Sequence, residues 1–190
     1  MDYALYILLG IGLAAACGFR VFVPLLVVSI AALSGHLELT AEFAWMGSWP
    51  AVIVFGIATV LEIVAYYVPW LDNLLDTIAT PAAIVAGVIV TASVITKMSP
   101  VLRWPLAIIA GGGFAGTIQA ATVAIRGASS VTTGGAANPI ATTVETGSST
   151  GMSILSLLLP GVAGVVAVLL VGFLGWLLFR IRRRRRRRRT

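Results

Sequence analysis

Residues 4–34 form an apolar run of 31 positions, interrupted only at Gly18-Phe19-Arg20 and Pro24. A bilayer crossing takes about 20 apolar residues at about 1.5 Å each. The run is too long for one perpendicular span and too short for two, so a tilted or broken first helix is expected. Further runs recur over about Pro50–Val68, Pro81–Thr96, Pro105–Ile125 and Met152–Phe179, the last kinked near Pro160. The chain is 59% hydrophobic and 11% charged, with mean hydropathy +1.02. A soluble domain carries about a quarter charged residues. The expected fold is all-α: a polytopic transmembrane helix bundle of about five spans, forming one domain over residues 1–180.

The net charge of +6 belongs to the end of the chain. Arg182–Arg189 are consecutive arginines, and without them the body is slightly acidic. Residues 181–190 are expected to be a disordered tail on the cytoplasmic side, because basic residues stay inside. With five spans, the N-terminus falls outside, Lys97 and Arg103 lie inside with the tail, and Arg126 is the exception outside. The first span has no basic residues before it and reads as retained rather than cleaved. The expected location is a bacterial plasma membrane, multi-pass, with the tail touching anionic lipid. No aromatic residues interleave the arginines, so no specific nucleic-acid partner is expected, and self-association stays open. All five tryptophans fall at or beside a predicted span end, as interface anchors do.

Two connections stand out. In 70–79, Leu71, Leu74, Leu75 and Ile78 fall on one helical face and Asp72, Asn73, Asp76 and Thr77 opposite. This spacing predicts a short interfacial helix with its acids toward water. Of the 24 residues 127–150, 14 are Gly, Ser or Thr. A flexible external loop or a re-entrant segment is expected there, with a turn at Asn138-Pro139. Gly10, Ala14 and Gly18 repeat at spacing four, and Gly112 with Gly116 forms a second close-packing pair. Spans one and four would run in opposite directions with matching small faces, a weak hint of an inverted repeat.

Arg20 and Glu62 are the two charges within spans. Such a charge costs about 2.5–3.5 kcal/mol on insertion scales and usually pairs inside the protein. Arg20 with Glu62 is the expected pair, with Tyr66 one turn from Glu62. Asp72 and Asp76, at i and i+4, are either the polar side of an interfacial helix, a vestibule for a solute, or a divalent-cation pair. Arg126 and Glu145 bracket the Gly/Ser/Thr segment and are either solvated loop-end charges or a pair that closes the loop over a site. Cys17 and His36 are each the single residue of their type. Neither builds a metal site alone. No nucleophile–base arrangement, phosphate loop or haem motif is present, and GGGFAG at 111–116 lies within a span rather than after a strand. Neither cofactor nor metal is expected.

Three segments, GFRVFVPLL at 18–26, EIVAYYVPWLDNLLDTIATPAAIVAG at 62–87 and RGASSVTTGGAANPIATTVET at 126–146, resemble a family of bacterial membrane proteins grouped as domain of unknown function 4126. The resemblance implies a recurring polar set at Arg20, Glu62, Asp72, Asp76, Arg126, Thr133, Asn138, Pro139 and Glu145. The chain departs from the family pattern at Tyr66-Tyr67, where the pattern has Asp-Lys, and at Thr146, where it has a second acid. The family brings no established activity. The leading expectation is a transporter or channel for a small solute, ion or lipid-linked group. Its site would comprise Arg20, Glu62, Tyr66, Asp72, Asp76, Arg126, Thr133, Asn138 and Glu145. The alternatives are a structural or accessory membrane subunit and, third, a magnesium-dependent enzyme on a lipid phosphate; an enzyme is the less expected outcome.

Overall fold

The structure, a computed structural model, describes residues 3–187. It is an all-α helical bundle, with no strand among the described residues. The helices are α1 (Tyr3–Cys17), α2 (Phe22–Leu33), α3 (Trp49–Ala65), α4 (Pro69–Val94), α5 (Pro100–Leu106), α6 (Gly113–Thr133), α7 (Asn138–Leu158) and α8 (Pro160–Arg187). A 3-10 turn at Ala41–Gly47 precedes α3, and a π-helical turn at Ala107–Gly112 joins α5 to α6. Four stretches are long and apolar enough to cross a membrane: Trp49–Tyr66, Leu74–Val94, Pro100–Thr133 and Pro160–Leu177.

The first apolar run is broken, as its length requires. It doubles back, with the turn at Gly18–Val21. Tyr6 and Leu9 of α1 share a pocket with Ile30, Ala31 and Ser34 of α2, so the open ends of the two helices meet. At 15 and 12 residues, they reach about 22 and 18 Å. Their tip therefore sits among the other helices and carries Arg20.

Three expectations are corrected. The surface helix at 70–79 is not separate: it is the opening of α4, which continues through Pro81. A proline removes one ladder hydrogen bond, which a membrane helix tolerates when neighbours satisfy the freed carbonyl. Within it the apolar Leu74 and Ile78 are exposed along with Thr77, whereas Asp76 is half-buried. The acid is thus turned partly inward rather than to water. Second, 127–150 is not a loop. Apart from a turn at residues 134–137, where Gly134 and Gly135 take positive φ, it is helical. Asn138-Pro139 starts α7, where proline's missing N–H is harmless. Its hydroxyls bond back along the helix: Thr132 to Ala128, Thr143 to Pro139, Thr146 to Thr142 and Thr150 to Thr146. Back-bonded Ser and Thr behave as small non-polar residues in a helix.

The third correction concerns direction. Ser149 donates to the Ala16 carbonyl, and Ser156 lies against Gly12, so α7 runs antiparallel to α1. Gly161 packs on Leu5 and Gly164 on Leu8, with Ala167 beside Ala15 and Ala16, so α8 runs parallel to it. Gly111 lies near Thr91, as does Gly10, and Gly18 meets Ala115 and Ile118, so α6 is also parallel to α1. Spans one and four therefore point the same way. The last helix leaves at the α1–α2 tip end and stays helical in backbone to Arg187. Lys97, over the Tyr6 ring at 5.9 Å, and Arg103 lie at the other end. Sequence spacing puts Lys97, Arg103 and the tail on one side because it reads 127–150 as a loop and counts two passes between Arg103 and the tail, where α6, α7 and α8 make three.

Small residues set the helix spacing. A Cβ on Gly87 would lie 2.6 Å from Ala115 Cβ and 2.7 Å from the Gly111 carbonyl. One on Gly18 would lie 2.6 Å from Ile118 Cβ. Such approach is how helices associate where lipid is as apolar as the side chains. Polarity is inverted in α7: Thr142, Glu145, Ser149, Ser153 and Ser156 are buried, while Ile140, Val144, Ile154 and Leu158 are exposed.

Candidate functional site

Four elements converge at the hairpin tip: the α1–α2 turn, the last turns of α3 and α6, and the first turns of α7. The site is therefore near one end of the bundle rather than at its middle. Arg20 and Arg126 are each 1% exposed. Arg126 Nε donates to both oxygens of Glu145, at 2.9 and 3.1 Å, and its Nη2 donates to Glu145 Oε2 and to Thr142 Oγ1, the latter at 3.1 Å. Arg20 Nη2 lies 3.2 Å from the same Glu145 oxygen. Arg20 also donates to Thr146 Oγ1 at 3.1 Å and to the Thr142 carbonyl at 3.2 Å. One carboxylate thus holds two buried guanidinium groups, so Arg126 and Glu145 form a buried pair rather than solvated loop ends, with Arg20 added.

Both cations also pack against the ring of Tyr66. The guanidinium carbons of Arg20 and Arg126 stand 4.1 and 4.2 Å from its centroid. Guanidinium groups stack on aromatic faces, and removal from water strengthens the attraction. The Tyr66 carbonyl accepts from Thr142 Oγ1 at 3.3 Å, which ties the end of α3 to α7. Asp76 lies near enough to act on Tyr66 electrostatically.

The expected Arg20–Glu62 ion pair is not what forms. Glu62 accepts the backbone N–H groups of Val21 and Phe22, at 2.8 and 3.0 Å. These are among the donors that the start of any helix leaves without an intrahelical partner, and Val21 offers no side-chain cap. A carboxylate there also meets the positive end of the helix dipole. Glu62 therefore closes α2 from another helix, while Arg20 turns to Glu145.

Other expected site residues separate. Thr133 is exposed, bonds to the Ser129 carbonyl at 2.8 Å and accepts the Ala137 N–H, so it belongs to the α6–α7 turn. Asn138 is buried and donates to Ser130 Oγ at 3.0 Å, across the same turn. The Asp72 side chain lies outside the described residues. Thr142 and Thr146 are the contributors that sequence reasoning missed. Their signal is spacing: Asn138, Thr142, Glu145 and Ser149 recur every three or four positions, one helical face. Thr146, where the family pattern has an acid, still receives Arg20 through its hydroxyl.

Beside the cluster, α3 and α4 diverge around a groove of about 390 Å3. Leu61, Glu62, Ala65 and Tyr66 line one wall, with Leu75, Ile78, Ala79 and Ala82 on the other. At the far end of the bundle, Arg103 Nη2 meets Glu42 Oε2 at 2.5 Å; the Arg103 side chain is buried and that of Glu42 half-exposed.

No curated protein and no solved structure matches the chain. The match is to a family model described as Domain of unknown function (DUF4126), over residues 7–180. A membrane-type helical bundle with a buried Arg–Glu–Arg cluster at its hairpin tip, the chain belongs to that family.

Proposed function

We propose that the protein moves a small solute or lipid-linked group across a bilayer, using the hairpin tip as its site. The observation that carries this reading is the gathering of Arg20, Arg126, Glu145 and Glu62 around Tyr66, beside a groove that reaches Glu62. Burying ions costs several kcal/mol each before pairing returns it, so such residues within membrane helices tend to mark solute or proton paths. Arg20, Glu62, Tyr66 and Glu145 form the working set, with Asp76 at the groove side. Asp72, Asn138 and Thr133 are retained only as residues around the mouth.

The tail and the tip share one end of the bundle, and basic residues favour the cytoplasm. We place that end on the cytoplasmic side of a bacterial plasma membrane, so the site opens inward, with the arginines against anionic lipid. Proteoliposome flux of labelled solutes, with the native chain against Glu62→Gln, tests the reading. Flux lost in a folded variant supports it. No flux of any solute class by the native chain overturns it.

A second reading, a structural or accessory subunit, is favoured by how fully the arginines are bonded. Arg20 has three protein partners, and Arg126 is held by Glu145 and Thr142. It predicts co-purification with one partner in stoichiometric amount. Under it, Glu62→Gln changes activity only as far as stability changes. Among the described residues no group of three His, Cys, Asp or Glu gathers, so no observation favours the magnesium-enzyme alternative.

A further inference from the structure

The groove between α3 and α4 has a lining that selects for one ligand chemistry. Its walls are apolar except for Glu62 and Tyr66, with Phe22 a further aromatic residue. Glu62 is the one charged residue on them among the described residues. Arg20 and Arg126, each 1% exposed, do not line the groove. A carboxylate offers about four lone-pair positions, and the Val21 and Phe22 amides take one on each oxygen. The rest are open to a donor in the groove, where Glu62 is partly exposed. The entrance is lateral: Leu61 is 63% exposed and Ile78 57%, on helices long and apolar enough to stand in lipid. A ligand entering there comes from the bilayer and must be lipid-soluble.

We propose that this groove binds a hydrophobic monocation, an amine or onium ion, with its charge at Glu62 and its apolar body against Leu61, Leu75 and Ile78. The inference rests on the transport reading only in taking Glu62 as a ligand-binding group, and it names the class of solute.

The test is equilibrium binding of radiolabelled tetraphenylphosphonium to the purified full chain in detergent. The expected result is saturable binding that decylammonium displaces and decanoate does not. Glu62→Gln should weaken it by about tenfold or more, the loss of a pairing worth at least about 1.4 kcal/mol. Because Glu62 also closes α2, two further variants, Ala58→Phe and Ala82→Phe, fill the groove and leave the carboxylate in place. Each should abolish binding while the protein stays monodisperse. Absence of saturable binding by the folded native chain overturns the inference. So does binding unchanged in the folded groove-filling variants, or equal displacement by decanoate. Proteoliposomes separate the two readings. Cation binding without flux overturns transport and keeps the site. Flux of another solute without cation binding overturns the site and keeps transport.

Discussion

Glu145 and Glu62 are both glutamates at the tip of the same hairpin, yet they do different work. Glu145 is buried and spends its oxygens on two guanidinium groups, so it answers side-chain charge with side-chain charge. Glu62 spends its oxygens on backbone amides and keeps one side toward a groove. The first is closed on every side by α1, α3, α6 and α7. The second stands where α3 and α4 part. A buried carboxylate whose partners are all protein atoms holds helices together. One with unspent acceptor positions beside an apolar groove is able to bind something.

The contrast predicts graded effects. Glu145→Ala strands two buried cations, and breaking a buried pair by removing one partner costs about 3–5 kcal/mol. Thermal unfolding in detergent should show the largest loss of any substitution at the tip, or no monodisperse protein at all. A Glu145→Ala melting temperature near that of the native chain would break the comparison. Glu62→Gln keeps one acceptor oxygen for the α2 amides and loses the charge. Hydrogen bonds to charged groups are worth about 1.5–3 kcal/mol, so a partial loss of about 1–2 kcal/mol is expected, with the fold kept. Equal destabilisation by Glu62→Gln and Glu145→Ala would erase the distinction between them. Tyr66→Leu retains apolar volume but removes the ring against which both guanidinium groups pack. A desolvated cation–π contact is worth up to about 2 kcal/mol, and a loss of about 1–2 kcal/mol should be seen. At the far end, Glu42→Ala breaks a pair with one half-exposed partner. Such pairs contribute about 0–1 kcal/mol, and the melting temperature should move least of the four.

Much of this site was legible before the fold. Arg20 and Glu62 are costly within apolar spans, which singles them out, and Arg126 and Glu145 stand out as the charges that bracket the Gly/Ser/Thr segment. Their partners were not legible. Opposite sign within the spans pairs Arg20 with Glu62, but pairing is decided by which groups face each other. The end of α3 delivers Glu62 to the α2 amides and α7 delivers Glu145 to Arg20. Backbone donors carry no sequence signature, so nothing in GFRVF announces that its last two amides claim a carboxylate 41 and 40 residues away. Thr142 and Thr146 were hidden by composition, because a stretch rich in Gly, Ser and Thr reads as a loop by propensity. In an apolar surround its hydroxyls bond within the helix and its polar stripe turns to α1.

The sequence by itself determined that this chain is a helical membrane-type bundle, since runs of 20 apolar residues have few other uses. It also determined that the first run must tilt or break, because its length fits neither one perpendicular crossing nor two, and that small residues would set the helix contacts. Only the tertiary structure decided that the break is a hairpin, that α8 returns the arginine tail to the tip, and that one glutamate serves two arginines. Hydrophobicity is a property of each residue and survives in one dimension. The direction of a helix and the partner of a charge depend on where distant segments are brought together, and those are settled only when the helices pack.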